Sequence, residues 1–286
     1  MTLSGRTLIT AIFGDPVEHT LSPAMHNAAY AALGMDRAYL AFQVRPDGLE
    51  AALRAIPALG IAGVNLTVPH KEAAARMLGQ LSAEAKILGA VNCVVNRRGA
   101  LFGDNTDARG LERDLRELKV SLGGDLAIVI GAGGGGAAAV LACARLGAAR
   151  IVLANRTMKR ALALGSRLSA HHAMRGKIEV RGLDALLDRA LLARAAVVIN
   201  ATSMGLKSRG FVPLRYEATP AACFFYDLLY AARPTAFLKA ALRAQRQASD
   251  GAGMLLYQAA LAFRLFNRAA PPVEAMRRAL MRELGR

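Results

Sequence analysis

The stretch from 126 to 140 limits the folds open to this chain more than any other part of it. Leu126-Ala127-Ile128-Val129-Ile130 is a continuous apolar run of strand length, the pattern of a strand covered on both faces in a parallel sheet. Gly131-Ala132-Gly133-Gly134-Gly135-Gly136 follows directly and leads into the helix-forming run Ala137-Ala138-Ala139-Val140. Glycines 131, 133 and 136 match G-x-G-x-x-G between a strand and a helix, the context that gives the motif its meaning. Gly131 permits the tight turn, Gly133 lets a pyrophosphate approach the backbone, and Gly136 lets the helix pack on the strand. The unpaired N–H groups of the helix start then suit the phosphates. The sequence predicts a dinucleotide-binding α/β unit in the middle of the chain.

The end of the following strand discriminates between cofactors. It reads Ala154-Asn155-Arg156-Thr157, with Lys159 and Arg160 behind it. An NAD site usually places Asp or Glu here, on the ribose 2′-hydroxyl. A carboxylate would repel a 2′-phosphate, whereas a guanidinium forks onto one. The bland alternative is a solvated basic turn at a helix start. Beside the glycine loop, NADP(H) is the expected cofactor.

Strands and helices alternate elsewhere too, as in α/β proteins. Strands are expected at 8–13, 38–44, 63–68 and 90–96, with helices beginning at Pro23, Gly48 and His70 between them. Further strands are expected at 151–154, 178–180, 197–200 and 224–228, followed by an apolar helix at 254–267 and a charged C-terminal helix. The reading is two α/β domains with a ligand cleft between them. The N-terminal one has a mostly parallel sheet and the other is Rossmann-like. The first covers 1–107 and is completed by the C-terminal helices at 251–286; the second covers 108–250.

Polar residues stand out against this apolar pattern. In Asn65-Leu66-Thr67-Val68-Pro69-His70-Lys71, alternation puts Asn65 and Thr67 on one strand face. Pro69 ends the strand, and Lys71 enters the first turn of a helix. That end of a helix disfavours an ammonium, so a lysine there readily yields a proton; an ordinary surface lysine is the alternative. Asp107, at the end of Gly103-Asp104-Asn105-Thr106-Asp107, is a natural helix N-cap. Beside Lys71 it would instead orient the ammonium and complete a proton-transferring pair. Thr20 and Ser22 offer two hydroxyls ahead of a helix, where Ser22 before Pro23 serves equally as a cap. Gln258 lies in the apolar helix, where its amide needs a partner, either a polar substrate or a backbone group.

The order of these motifs resembles the shikimate dehydrogenase family, including its shikimate/quinate branch, over nearly the full length. The matching blocks are Gly14-x-Pro16 with His19 to Asn27, Asn65 to Lys71, Ala90-Val91-Asn92, and Gly103 to Asp107. The glycine loop, Asn155-Arg156-Thr157, Asn200 to Gly205, Tyr226 to Tyr230, and Asp250-Gly251-x-Gly253-Met254 running to Gln258 complete the series. The resemblance implies an oxidoreductase that reversibly reduces 3-dehydroshikimate to shikimate with NADP(H), in chorismate and aromatic amino acid biosynthesis. Lys71 and Asp107 are then the catalytic pair. Ser22, Thr67, Asn92 and Gln258 bind ring hydroxyls, Thr20, Ser22 and Tyr230 lie near the carboxylate, and Asn65 joins the substrate-binding set. Gly131 to Gly136 and Asn155 to Thr157 hold the dinucleotide, with Lys159, Arg160, Thr202, Leu228 and Gly251 around it. Met204, Gly253 and Tyr230 lie near the nicotinamide. No metal is required, because an ammonium stabilises the developing alkoxide.

Thr20 stands where the family usually has serine. Its extra methyl alters the pocket and opens a quinate/shikimate enzyme of relaxed specificity as a rival. A catalytically silent NADP-binding regulator is the other rival, and the presence of both Lys71 and Asp107 opposes it. The formal charge of +16 suggests nucleic acid, yet the basic residues are dispersed, with no basic run of five and no tryptophan. A specific nucleic-acid partner is therefore not expected. No apolar run reaches the roughly 18 residues of a membrane span. Three isolated cysteines make neither a disulfide framework nor a zinc site. A cytoplasmic enzyme of small-molecule substrates, monomer or homodimer, is the expectation.

Overall fold

The computed structural model describes residues 3–205 and 211–286. Two compact units emerge, one formed by residues 1–110 and 256–286 and the other by 111–255. Among the described residues each contains one six-stranded sheet, and no helix is long and apolar enough to cross a membrane.

The first unit alternates β1 (Leu8–Gly14), α1 (Ser22–Ala32), β2 (Arg37–Gln43), α2 (Leu49–Ala58), β3 (Gly63–Leu66), α3 (Lys71–Met77), β4 (Gln80–Leu81), α4 (Ala83–Leu88), β5 (Cys93–Arg97) and β6 (Ala100–Asp104). The chain then enters α5 (Asp107–Glu117). The strand order is β2-β1-β3-β5-β6-β4. β1 runs parallel to β2 and to β3, whereas β3–β5 and β5–β6 are antiparallel. The hairpin turns through Arg98 and Gly99, both at positive φ. β4, α4 and β6 escape the sequence reading because each is too short to establish a period. α4 is instead set by its ends, Ser82 Oγ accepting from Ala85 N at 3.1 Å and Gly89 closing it at φ 60°.

Every residue of β3 is buried, so the short strand sits where polar side chains must find partners. The core beneath it joins Ala11, Phe13, Leu53, Ile56, Val64, Leu66, Val91 and Val94. His26, on α1, is fully buried and stacks on Tyr39 with centroids 4.1 Å apart. Neither of its ring nitrogens has a hydrogen-bond partner among the described residues, and burial pushes its pKa down to about 3. The imidazole is held neutral, as one more aromatic plate.

The second unit contains β7 (Leu126–Ile130), α6 (Gly134–Arg145), β8 (Arg150–Ala154), α7 (Met158–Ser169), β9 (Ile178–Arg181), α8 (Arg189–Leu192), β10 (Ala195–Asn200), β11 (Phe224–Asp227), α9 (Ala236–Arg243) and β12 (Gln247–Asp250). The C-terminal helices are α10 (Ala252–Asn267) and α11 (Val273–Glu283). All neighbours in the order β12-β11-β10-β7-β8-β9 are parallel. The chain starts at β7, winds outward to β9, then returns to β10 on the other side. That reversal leaves a crevice at the carboxyl ends of β7 and β10, where Ile130 lies level with Asn200. β12 is not expected from the sequence, since its Gln247-Ala248-Ser249-Asp250 has no apolar signature. As an edge strand it needs none.

The three cysteines are free and buried. Burial pushes the Cys143 and Cys223 thiols up to about 12, so they pack as small apolar groups.

Candidate active site

In the first unit, Lys71 opens α3 and Asp107 opens α5. Lys71 Nζ donates to Asp107 Oδ2 at 2.7 Å, with the lysine side chain a quarter exposed and the carboxylate 6% exposed. Asp107 is the first residue of α5, and among the described residues its carboxylate is bound by side chains and caps no backbone N–H. Its other oxygen, Oδ1, accepts from Asn92 Nδ2 at 2.7 Å, and its backbone N–H is taken by Asn105 Oδ1 at 2.9 Å. With one N–H on Asp107, the ammonium keeps two donors for a partner in the accessible space beside it.

Asn92 is the hub of this cluster. Its Oδ1 accepts from Thr106 N at 2.8 Å, and its Nδ2 also reaches Thr106 Oγ1 at 3.0 Å and Gln258 Oε1 at 3.5 Å. Gln258, half-buried on α10, is thereby brought to the cluster. Asn65 is bound on both ends of its amide: Tyr39 Oη donates to Oδ1 at 2.8 Å, and Nδ2 donates to the Asn92 carbonyl at 3.0 Å. Its amide ties β3 to Asn92. Thr67 falls one residue beyond β3, and its hydroxyl makes no hydrogen bond among the described residues. Ser22 is the first residue of α1, not its cap; the cap position is Leu21, which makes no side-chain cap bond. Thr20 Oγ1 accepts from Ser22 N at 3.3 Å. Tyr39 and Thr106 carry no signal for these roles in the sequence, where each is an ordinary strand or loop residue.

In the second unit the glycine loop turns as expected. Gly131 has φ +114°, a region that side-chain-bearing residues rarely enter, and a Cβ at Gly136 would lie 2.0 Å from the Gly131 carbonyl oxygen. Around Gly133 and Gly134 there is nothing within 4 Å of a Cβ position. The loop ends in α6, whose first turn presents free N–H groups beside that open space, as a pyrophosphate requires. Ala132 and Gly135 complete the loop, Gly135 resting against the Leu228 side chain.

Beyond β8, Asn155 Nδ2 donates to Thr157 O at 2.9 Å and fixes the turn. Arg156, Lys159 and Arg160 are exposed and make no ion pair among the described residues. Their charge is free for an anion, so a dinucleotide with an extra phosphate fits this chain better than one without. Thr202 Oγ1 donates to Asn200 Oδ1 at 2.7 Å and accepts from Met204 N at 3.1 Å. Gly251 packs against the backbone of Leu228 and Gly253 against the carboxylate of Asp114. Tyr230 is half-buried in the same unit, and burial raises its phenol. The expected substrate residues other than Tyr230 thus lie in one unit, and the expected cofactor residues lie in the other.

Known proteins are similar to this chain. A family model described as "Shikimate dehydrogenase substrate binding domain" matches residues 12–94, and one described as "Shikimate 5'-dehydrogenase C-terminal domain" matches residues 251–281. The shikimate dehydrogenase (NADP(+)) of Rubrobacter xylanophilus is 40% identical over 98% of each chain. The chain belongs to the shikimate dehydrogenase family. Within it, the crystal structure from Thermus thermophilus in complex with NADP(H) and shikimate is 37% identical, covering 97% of this chain and all of that one, with a TM-score of 0.84. A quinate dehydrogenase from Corynebacterium glutamicum in complex with NAD is also similar, 30% identical over 96% and 99% of the two chains, with a TM-score of 0.88. Family membership agrees with the resemblance read from the sequence motifs, and it covers the whole chain, including the hairpin and edge strand that those motifs do not describe.

Proposed function

We propose that this chain catalyses the reversible reduction of 3-dehydroshikimate to shikimate with NADP(H), in chorismate and aromatic amino acid biosynthesis. The observation that carries the reading is the Lys71–Asp107 pair, at 2.7 Å and fixed from its far side by Asn92. Residues 1–107 with 251–286 hold the substrate in this reading, and 108–250 hold the cofactor. NADPH, when bound, supplies the hydride for the substrate carbonyl carbon. Lys71 Nζ donates a proton to the carbonyl oxygen as charge develops there, and the resulting amine regains a proton from solvent. Asp107 holds the ammonium in place before transfer. Thr67, Ser22, Asn92 and Gln258 bind the ring hydroxyls, with Asn65 supporting Asn92; Thr20 and Tyr230 attend the carboxylate. Gly131 to Gly136 hold the pyrophosphate and Arg156 the 2′-phosphate. The enzyme works on small molecules, in the cytoplasm, as a monomer or homodimer.

One observation favours a second reading. Thr20 replaces the usual serine, and its methyl reshapes the wall next to Ser22, so acceptance of quinate beside shikimate is the rival. Absorbance at 340 nm, with shikimate and quinate each tested against NADP and NAD, decides. Fast reduction with shikimate and NADP alone supports the first reading. Comparable rates with quinate support the second, and silence in all four revives the non-catalytic regulator.

A further inference from the structure

On the reading just proposed, the cofactor is held at the carboxyl ends of β7 and β10, and one residue there lacks a task. Asp227, the last residue of β11, is fully buried and makes no ion pair among the described residues. A buried carboxylate without a cation is costly unless donors surround it. Three segments provide them. Asn200 Nδ2 reaches Oδ1 at 2.9 Å, Leu229 N reaches the same oxygen at 3.1 Å, and Thr235 Oγ1 reaches Oδ2 at 2.6 Å. Asn200, also fully buried, passes the constraint on, its Oδ1 accepting from Thr202 N at 3.0 Å and Thr202 Oγ1 at 2.7 Å.

The segments so fixed are the wall of the glycine loop. A Cβ at Gly131 would stand 2.9 Å from the Ala201 oxygen and from Thr202 Cγ2, and one at Gly135 would stand 2.9 Å from Leu228 Cδ2. We infer that Asp227 and Asn200 are positioning residues for the cofactor, an acid–amide pair behind the loop that holds Thr202 and Leu228 against it. This inference rests on the NADP(H) reading.

NADPH titration followed by its fluorescence, with thermal melts alongside, tests it. Wild-type protein comes first: failure to bind NADPH would refute the cofactor reading itself. Given binding, Asp227→Leu and Asn200→Ala should each raise Kd about tenfold, the effect of losing one buried polar link that orders a binding segment. Asp227→Asn keeps the accepting oxygen and offers an N–H to Thr235, so its Kd should stay within about twofold of wild type. Thr235→Val removes the link to Asp227 Oδ2 and the cap on Leu238 N at the start of α9, leaving the Asn200 and Leu229 links in place, and should lower the melting temperature without moving Kd. Wild-type Kd in Asn200→Ala would overturn the inference. So would a Thr235→Val variant that loses affinity as much as Asn200→Ala, because that is general loosening. If Asp227→Leu does not fold, Asn200→Ala decides alone.

Discussion

Asn92 and Lys71 hold the two oxygens of Asp107 separately, Asn92 Nδ2 lying 2.7 Å from Oδ1 and Lys71 Nζ 2.7 Å from Oδ2. The carboxylate therefore cannot rotate without breaking one bond to follow the other. The orientation of the ammonium is fixed by an uncharged residue on a different element, the segment leading into β5.

Replacing Asn92 with Leu keeps the branched shape, at a somewhat larger volume, and removes that restraint. Thr106 loses the acceptor for its backbone N–H, and Asp107 Oδ1 is left buried without a donor. We expect a stability loss of about 1–3 kcal/mol from the unpaired groups and a fall in kcat of about 10- to 100-fold from the misplaced ammonium. Urea unfolding and steady-state kinetics on one preparation check both. A stable variant with wild-type kcat would show that Lys71 alone sets the geometry.

Lys71→Ala should abolish most turnover while leaving the cofactor in place. Removing a positioned proton donor costs about 10²- to 10⁴-fold in rate, and Lys71 lies in the unit that does not contain the glycine loop. NADPH affinity should match wild type. Loss of cofactor binding in this variant would remove Lys71 from the catalytic role.

Two buried groups pull stability in opposite directions as pH changes. His26 has its pKa pushed from 6.5 to about 3 by burial, so its contribution is present above pH 6.5 and is lost as pH falls towards 3. Asp227 is pushed by burial from 3.8 up to about 6, so its contribution is present below pH 3.8 and is lost as pH rises through 6. At about 1.4 kcal/mol per pKa unit these are worth roughly 5 and roughly 3 kcal/mol. Between pH 4 and 6 the two slopes offset each other. Asp227→Asn should therefore lose stability on acidification more steeply than wild type, and His26→Phe should lose it less steeply or gain. Urea midpoints at several values from pH 4 to 7 test this, and parallel profiles for all three proteins would contradict it.

The legible parts of this chain are those where one short segment fixes its own meaning. The run Leu126 to Gly136 is such a case, because a buried strand, a turn and a helix start each demand particular residues in sequence. Lys71 and Asp107 are legible as candidates, but their 2.7 Å contact depends on α3 and α5 presenting their first residues to one another, which is tertiary information. The same holds for Asn65, whose amide is divided between Tyr39 and Asn92. In the sequence it is only a polar residue in a strand. Asp227 and Asn200 are visible within their motifs, yet nothing local says that each ends a buried strand beside the other.

The free charge on the turn after β8 carries the last prediction. β8 ends at Ala154, and the following Arg156 is exposed with no ion pair among the described residues. Its guanidinium is therefore available to fork onto a ribose 2′-phosphate. Arg156→Asp would replace that fork by a carboxylate, which repels the phosphate and can accept from a free 2′-hydroxyl. The ratio of kcat/KM for NADP over NAD should fall by about 10²-fold or more, the combined effect of a lost charge-assisted contact and a new repulsion. The rate with NAD should hold or rise, since the catalytic pair is untouched. Steady-state kinetics with both cofactors at saturating shikimate measure the ratio. An unchanged ratio would move the 2′-phosphate contact from Arg156 to Lys159 or Arg160, and the same substitution made at each of those positions would then locate it.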